Sequence, residues 1–203
     1  MVDKFCTYLT NKIRKEMPEV DDERAEVINY GIQLIVGEIP KILLLFVVAF
    51  ILKIGWLTVF AFFTILPYKK FSGGFHLKTH LGCIIGTCLF YFLTVYMSKY
   101  IVFEQVYIKY IIILVEWIFS MIMVRLYAPA DTENLPILSE KERKHKKIMS
   151  YVTLTITLIV AVVIPNNIIS NILMIGTFLQ TISITKIAYK LSKNKYGYEV
   201  YTA

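Results

Sequence analysis

Apolar residues fall into six runs, which short polar and basic connections separate. A helix that crosses a bilayer needs about 20 mostly apolar residues, with a range of ~17 to 25. The second and fifth runs are short on this scale. The runs cover residues 28–52, 54–68, 81–103, 107–127, 148–164 and 168–189. The pattern predicts an all-α polytopic membrane protein with about six membrane segments, two of them short, in one domain over residues 1–203.

The chain before the first run has a different, amphipathic pattern. Apolar residues recur there every fourth position with lysines between them, at Phe5, Leu9, Ile13 and Met17. This spacing predicts a helix that lies in the membrane interface. Pro18 ends it, and the acidic residues 21–23 supply capping groups for a second helix. Residues 1–27 therefore form an amphipathic arm, and its early acidic residues argue against a signal peptide.

The number of lysine and arginine residues alternates between high and low from one connection to the next. This alternation predicts the orientation, because positively charged loops stay in the cytoplasm. The arm, the segment after the second run, the loop after the fourth and the tail are rich in them, and the other connections are poor. Beyond the arm, the basic residues of the rich connections are Lys69, Lys70, Lys78, Lys141, Arg143, Lys144, Lys146, Lys147, Lys186, Lys190, Lys193 and Lys195. We therefore expect a multi-pass protein of the cell membrane with both termini, residues 69–80 and loop 128–147 on the cytoplasmic side.

Composition agrees with this reading. Hydrophobic residues make up 57% of the chain and charged residues 18%, and the mean hydropathy is +0.60, which excludes an ordinary soluble domain. The net charge of +7 lies in short clusters, which suit anionic lipid headgroups better than nucleic acid. The three cysteines are a poor disulfide framework and indicate a reducing face with a free thiol.

One segment, residues 68–83, concentrates reactive side chains. It contains Gly73-Gly74, His76, His80 and Cys83 among three lysines. A cysteine protease needs a thiolate beside an imidazole that takes its proton, and nearby lysines and a helix amino terminus favour the thiolate. Spacing alone favours His80 as the base, because it lies three residues before Cys83 on a helix. The two glycines permit a loop that folds back and brings His76 over the helix start.

A metal site is an alternative reading of the same segment. His76, His80 and Cys83 follow an i, i+4, i+7 spacing on one helical face. A fourth ligand is not evident, and Glu38 supplies one only through a tertiary contact. The interpretation without chemistry is a buried, inert cysteine, and Cys6 and Cys88 fit it better than Cys83 does. We predict no metal and no cofactor.

Polar residues within the first run are candidates for function, because such groups are costly in lipid. Gln33 and Glu38 are candidates to orient His76 or bind substrate, although Glu38 could equally pair with Lys41. The rival interpretation is a small membrane transporter or exporter subunit without peptidase chemistry, with these residues and Pro40 in its pathway. Transporters often contain inverted repeats, and the sequence shows none.

Two motifs resemble the accessory gene regulator protein B (AgrB) family. The family pattern is a basic pair, Gly-Gly, an aromatic residue, His, and Cys seven residues later, and it matches Lys69-Lys70, Gly73-Gly74-Phe75-His76 and Cys83. Residues 128–136 resemble the family's Ala-Pro-x-Asp-Thr-x-Asn-Lys-Pro. Two departures occur: Lys69 stands where many members carry Arg, and Leu135 replaces the Lys before Pro136.

The resemblance implies a membrane cysteine endopeptidase that removes the carboxy-terminal tail of a quorum-sensing propeptide, AgrD, and closes the product into a thiolactone or lactone. It implies Cys83 as nucleophile, His76 rather than His80 as base, and a homodimer. Further candidates for substrate binding or an oxyanion hole are Lys69, Lys70, Gly73, Gly74, Gln33, Glu38 and Asp131. We expect the active site at the cytoplasmic membrane face.

Overall fold

The computed structural model describes residues 2–17, 19–77, 79–103, 105–133 and 136–201. The predicted all-α class is confirmed, and the elements are α1 (Val2–Glu16), α2 (Asp22–Ile51), α3 (Gly55–Ser72), α4 (His80–Tyr100), α5 (Val106–Tyr127), α6 (Glu140–Val163), α7 (Asn167–Ser183), α8 (Lys186–Leu191) and α9 (Gly197–Tyr201). Gly73 and Ala130 form an isolated parallel β-bridge.

Side-chain caps fix where several helices begin. The predicted acidic cap of α2 is confirmed, since the Asp21 carboxylate accepts a hydrogen bond from the backbone N–H of Arg24. Thr79 caps α4 through the N–H of Gly82, and Asn166 caps α7 through the N–H of Ile169. Each side chain satisfies a donor that the first helical turn leaves without a partner.

The prediction of one continuous segment over residues 168–189 is wrong. α7 ends at Ser183, and α8 begins at Lys186. The hydroxyl of Thr185 accepts a hydrogen bond from the N–H of Ala188 and so starts a new helix. The Ser183 carbonyl accepts a bond from the N–H of Phe75. The end of α7 therefore provides a hydrogen-bond acceptor for the distant loop that contains Phe75. Hydropathy alone did not indicate this helix end.

Three helical stretches are long and apolar enough to cross a membrane among the residues described, and α7 is a shorter apolar helix. The three are Leu81–Tyr100, Tyr107–Tyr127 and Glu140–Val163. This composition is compatible with a membrane protein. The count of six segments and the cytoplasmic termini stay predictions.

Helix α7 lies at the centre of the bundle and contacts α3, α4, α5 and α6. Its apolar side chains join two buried clusters. One contains Leu173, Met174 and Ile175 with residues of α5 and α6, and the other joins Ile172 to residues of α2, α3 and α4. α7 is therefore the element around which the membrane-compatible helices pack.

Polar side chains attach α7 to its neighbours. Thr177 donates to the buried carboxylate of Glu116 in α5 over 2.7 Å. Thr181 donates to the hydroxyl of Ser120 and lies 2.9 Å from the hydroxyl of Tyr68. Buried polar groups are costly unless they are hydrogen-bonded. These bonds therefore make the register of α7 specific.

The amphipathic arm is helical as predicted. α1 packs along α2, with Cys6 fully buried and Phe5 half exposed. The hydroxyl of Thr10 donates to the side-chain oxygen of Asn29 and connects the two helices. α1 thus buries one face on α2 and leaves apolar side chains on the other.

Candidate active site at the start of α4

The loop of residues 73–77 connects α3 to the start of α4 and is held by its backbone. Gly73 has φ +75°, and a Cβ there would collide with the carbonyl of Ala130. The N–H of Gly74 donates to Ala130 O, and the N–H of Ala130 donates to Ser72 O. Only glycine combines this dihedral with so close an approach. The Gly-Gly pair therefore forms a close backbone contact with the loop after α5.

Side chains from α7 and the tail hold the same loop from other directions. Gln180 donates to the carbonyl of Gly73 over 2.7 Å. Asn194 donates to the carbonyl of His76 over 2.7 Å, and the Tyr189 hydroxyl donates to Ala130 O over 2.8 Å. The position of His76 therefore depends on residues that are more than 100 positions away.

Cys83 is the fourth residue of α4. Its N–H donates to the carbonyl of Thr79, and its thiol is partly buried. The ammonium of Lys41 in α2 lies 3.8 Å from Cys83 Sγ, within hydrogen-bonding distance for sulfur. The thiol thus lies between a helix amino terminus and a cation.

Glu38 pairs with Lys41, as its spacing allowed. The carboxylate Oε1 lies 2.6 Å from the Lys41 ammonium. The two side chains differ in exposure, with 51% of Glu38 but only 10% of Lys41 accessible. The ion pair therefore directs its cation inward, toward the sulfur.

His76 lies among the same charged groups. Burial lowers the pKa of its imidazole below the usual 6.5, the charges of Lys69 and Lys41 lower it further, and Glu38 opposes them. The residue as a whole is nevertheless exposed to solvent. His76 and Cys83 both interact with Lys41 and Lys69. No hydrogen bond between the imidazole and the thiol occurs within the described ranges.

The two lysines of the basic pair, Lys69 and Lys70, lie in different environments. The Lys69 ammonium lies 5.6 Å from the centre of the Phe90 ring and interacts electrostatically with Cys83. Lys70 is exposed at the end of α3. Lys69 is therefore part of the thiol's surroundings, whereas Lys70 faces outward.

Some predicted site residues fall outside what can be described. The side chains of Gln33 and His80 lie outside the described residues, as do Lys78, Asn134 and Leu135. Among the side chains that are described, no three from His, Cys, Asp and Glu lie close enough together to hold a metal ion. Two surface grooves, of about 260 and 370 Å³, lie on α1 and between α5 and α6 rather than beside Cys83.

Asp131 stabilises the loop that contacts Gly73. Its Oδ2 accepts hydrogen bonds from the N–H of Ile137 and, over 2.8 Å, from the guanidinium of Arg143. The carboxylate is almost fully buried, and its Oδ1 has no partner in the structure. This arrangement gives Asp131 a structural position, and its predicted contact with substrate stays a prediction.

The sequence reasoning missed two partners of the site. Lys41 was identified only as a neighbour of Glu38, and Ala130 only as part of a motif. Both belong to contacts between elements, 42 positions apart for Lys41 and Cys83. The spacing of residues within one segment does not predict a contact between two elements. Unusual polarity within an apolar run was the one available signal for Lys41.

Comparison with known proteins gives a consistent result over most of the chain. The sequence model of the family Accessory gene regulator B matches residues 6–184. An AgrB-like protein of Listeria innocua is 28% identical over 93% of this chain and 91% of its own length. An AgrB-like protein of Listeria monocytogenes serotype 4a is 30% identical over the same shares, and one from Clostridium perfringens is 29% identical over 80% and 76%. No solved structure matches the chain.

Proposed function

Because the chain belongs to the AgrB family and so takes part in an accessory gene regulator system, we propose that it is the membrane cysteine endopeptidase of that system. Its substrate is an AgrD-like propeptide, and its product is a cyclic autoinducing peptide. The observation that carries the proposal is the position of Cys83 in the first turns of α4, beside Lys41 and Lys69, with His76 among the same charged groups.

The first step transfers the acyl group of the peptide to the enzyme. The imidazole of His76 takes the thiol proton of Cys83, and the thiolate attacks the carbonyl between the peptide core and its tail. The imidazolium then gives its proton to the leaving amine, so that the tail departs and a thioester with Cys83 remains. A lowered pKa keeps the imidazole of His76 neutral and able to accept that proton near neutral pH.

The second step closes the ring. A cysteine thiol within the bound peptide attacks the thioester, displaces Cys83 and forms a thiolactone, whereas a serine hydroxyl gives a lactone. Water competes for the same thioester and would yield linear peptide, so the site must exclude it. Partial burial of Cys83 between α2 and α4 supports this requirement.

Stabilisation of the oxyanion is assigned to the start of α4. The N–H groups of Gly73 and Gly74 already donate to Lys69 O and Ala130 O, so these glycines serve the loop's conformation. The amino-terminal turn of a helix carries a partial positive charge, although the N–H groups of Gly82 and Cys83 donate to Thr79. A carbonyl attacked by Cys83 lies next to that turn, where the developing charge is stabilised.

Co-expression with a tagged AgrD-like propeptide tests the proposal. Wild type is expected to release the tail and yield the cyclic product, identified by mass spectrometry. Cys83→Ala and Cys83→Ser are expected to abolish both products.

Cys88→Ala is the matched control, because it lies on the same helix, retains Cys83 and is expected to process normally. Continued cleavage by Cys83→Ala would reject the nucleophile. Transport of intact propeptide across the membrane without cleavage by wild type would favour an exporter instead.

A further inference from the structure

Lys41 is an unusual residue for its surroundings. It lies on α2 within an apolar run and is only 8% exposed. An ammonium group removed from water is costly unless several partners compensate for it. A lysine that serves only a surface ion pair normally extends its charged end toward solvent.

The ammonium is directed inward, although its acidic partner is half exposed. Glu38 Oε1 accepts one of its N–H groups over 2.6 Å, and Cys83 Sγ lies 3.8 Å away on another side. An ammonium carries three donors and no acceptor. With one donor satisfied by Glu38, a second is available to the sulfur.

We propose that Lys41 is a further catalytic residue, whose ammonium donates a hydrogen bond to Cys83 Sγ and stabilises the thiolate, and that Glu38 is the positioning residue that holds it there. This inference rests on the proposed peptidase function and adds a group to that site. The thiol proton of Cys83 passes to the imidazole of His76. Lys41 keeps all its protons throughout and acts as a fixed charge and donor.

Other charged groups also face the sulfur or its base. Lys69 approaches from α3 and His76 from the 73–77 loop, while Glu38 and Lys41 approach from α2. Lys69 lacks a sulfur contact comparable to that of Lys41, because its ammonium lies against the Phe90 ring. Among the described residues, Lys41 is therefore the cation in contact with the sulfur, and Lys69 contributes at longer range.

Alkylation of Cys83 by iodoacetamide tests the inference without peptide. The full-length protein carries Cys6→Ala and Cys88→Ala, and the rate is followed by mass spectrometry as a function of pH. Lys41→Met is expected to slow alkylation at neutral pH about tenfold or more and to move the midpoint of the profile to higher pH. Lys41→Arg restores most of the rate, because it retains the charge.

Glu38→Gln gives an intermediate alkylation rate, because Lys41 keeps its charge but loses the carboxylate that positions it. Lys99→Met, an exposed lysine at the opposite end of α4, leaves the profile unchanged. Thermal unfolding and circular dichroism verify that each variant is folded. If Lys41→Met does not fold, Glu38→Gln still decides the matter, since a wild-type profile for this variant overturns the proposal.

A wild-type alkylation profile in folded Lys41→Met also overturns it. Processing distinguishes this failure from failure of the proposed function. Loss of processing in Cys83→Ala but not in Lys41→Met removes Lys41 alone. A shifted profile in Lys41→Met, with no processing by wild type, leaves the thiol–ammonium contact and rejects the peptidase.

Discussion

At the scale of single residues, the proposed mechanism depends on a few charges around one thiol and one imidazole. His76 has its pKa lowered by burial first and then by Lys69 and Lys41. A histidine can act as a general base only when neutral. We therefore expect the acid limb of the pH profile of kcat/KM for processing to lie below pH 6.5, the ordinary value of the imidazole.

The contribution of Lys69 can be measured. Lys69→Gln removes a positive charge near the imidazole, so the pKa of His76 rises and the acid limb moves to higher pH, by up to about one pH unit. The measurement is the position of the limb and not the rate, because Lys69 is also a candidate to bind substrate. Lys70→Gln, an exposed neighbour, is the control and leaves the limb in place. A limb that moves to lower pH in Lys69→Gln would contradict this assignment.

At the scale of elements, the segment after α5 supports the 73–77 loop through Ala130. Asp131 stabilises that segment. Removing one partner of a buried ion pair costs about 3–5 kcal/mol. Arg143 is 24% exposed, which reduces that figure. We expect Asp131→Asn to lower the unfolding free energy by about 2–4 kcal/mol and to slow processing, because the loop that carries His76 loses its support.

Glu142→Gln provides the matched comparison. It breaks the Glu142–Lys146 pair on the exposed face of α6, and such surface pairs contribute about 0–1 kcal/mol. Thermal unfolding of both variants in one detergent, beside their processing rates, measures the difference. Equal shifts in the two variants would show that Asp131 does not stabilise the loop.

Sequence predicted these elements better than the contacts between them. Local signals identified the amphipathic α1 and the acidic cap of α2, because a cap and a helical period each involve only residues that are close in sequence. The break at Ser183 and the approach of Ala130 to Gly73 were not predictable. Both features depend on hydrogen bonds that form only after distant segments pack. Hydropathy and residue spacing therefore do not predict them.

At the scale of the whole molecule, the helices differ in length relative to a bilayer. α3 has 18 residues and α7 has 17, about 27 and 25 Å at ~1.5 Å per residue. The part of α2 beyond Lys41, which is level with Cys83, has only ten residues to Ile51. A hydrocarbon core is about 30 Å thick. As predicted membrane segments, these short elements favour a locally thin membrane around the proposed site.

Lipid chain length tests this consequence. After reconstitution in phosphatidylcholine vesicles of increasing chain length, processing is expected to fall in the thickest bilayers, because short helices must tilt or deform the lipid to match them. Iodoacetamide alkylation of Cys83 in the same vesicles verifies that the thiol remains accessible. Constant or rising processing with thickness would show that mismatch does not affect the site.

The bond from Asn194 to the carbonyl of His76 spans 118 positions, and this separation affects when the protein becomes competent. During translation the ribosome delivers Cys83 and His76 first, and Asn194 emerges only after every membrane-compatible helix has been made. A nascent chain therefore contains both proposed reacting groups before their final geometry is available. On the proposed mechanism, activity begins only once the bundle is assembled.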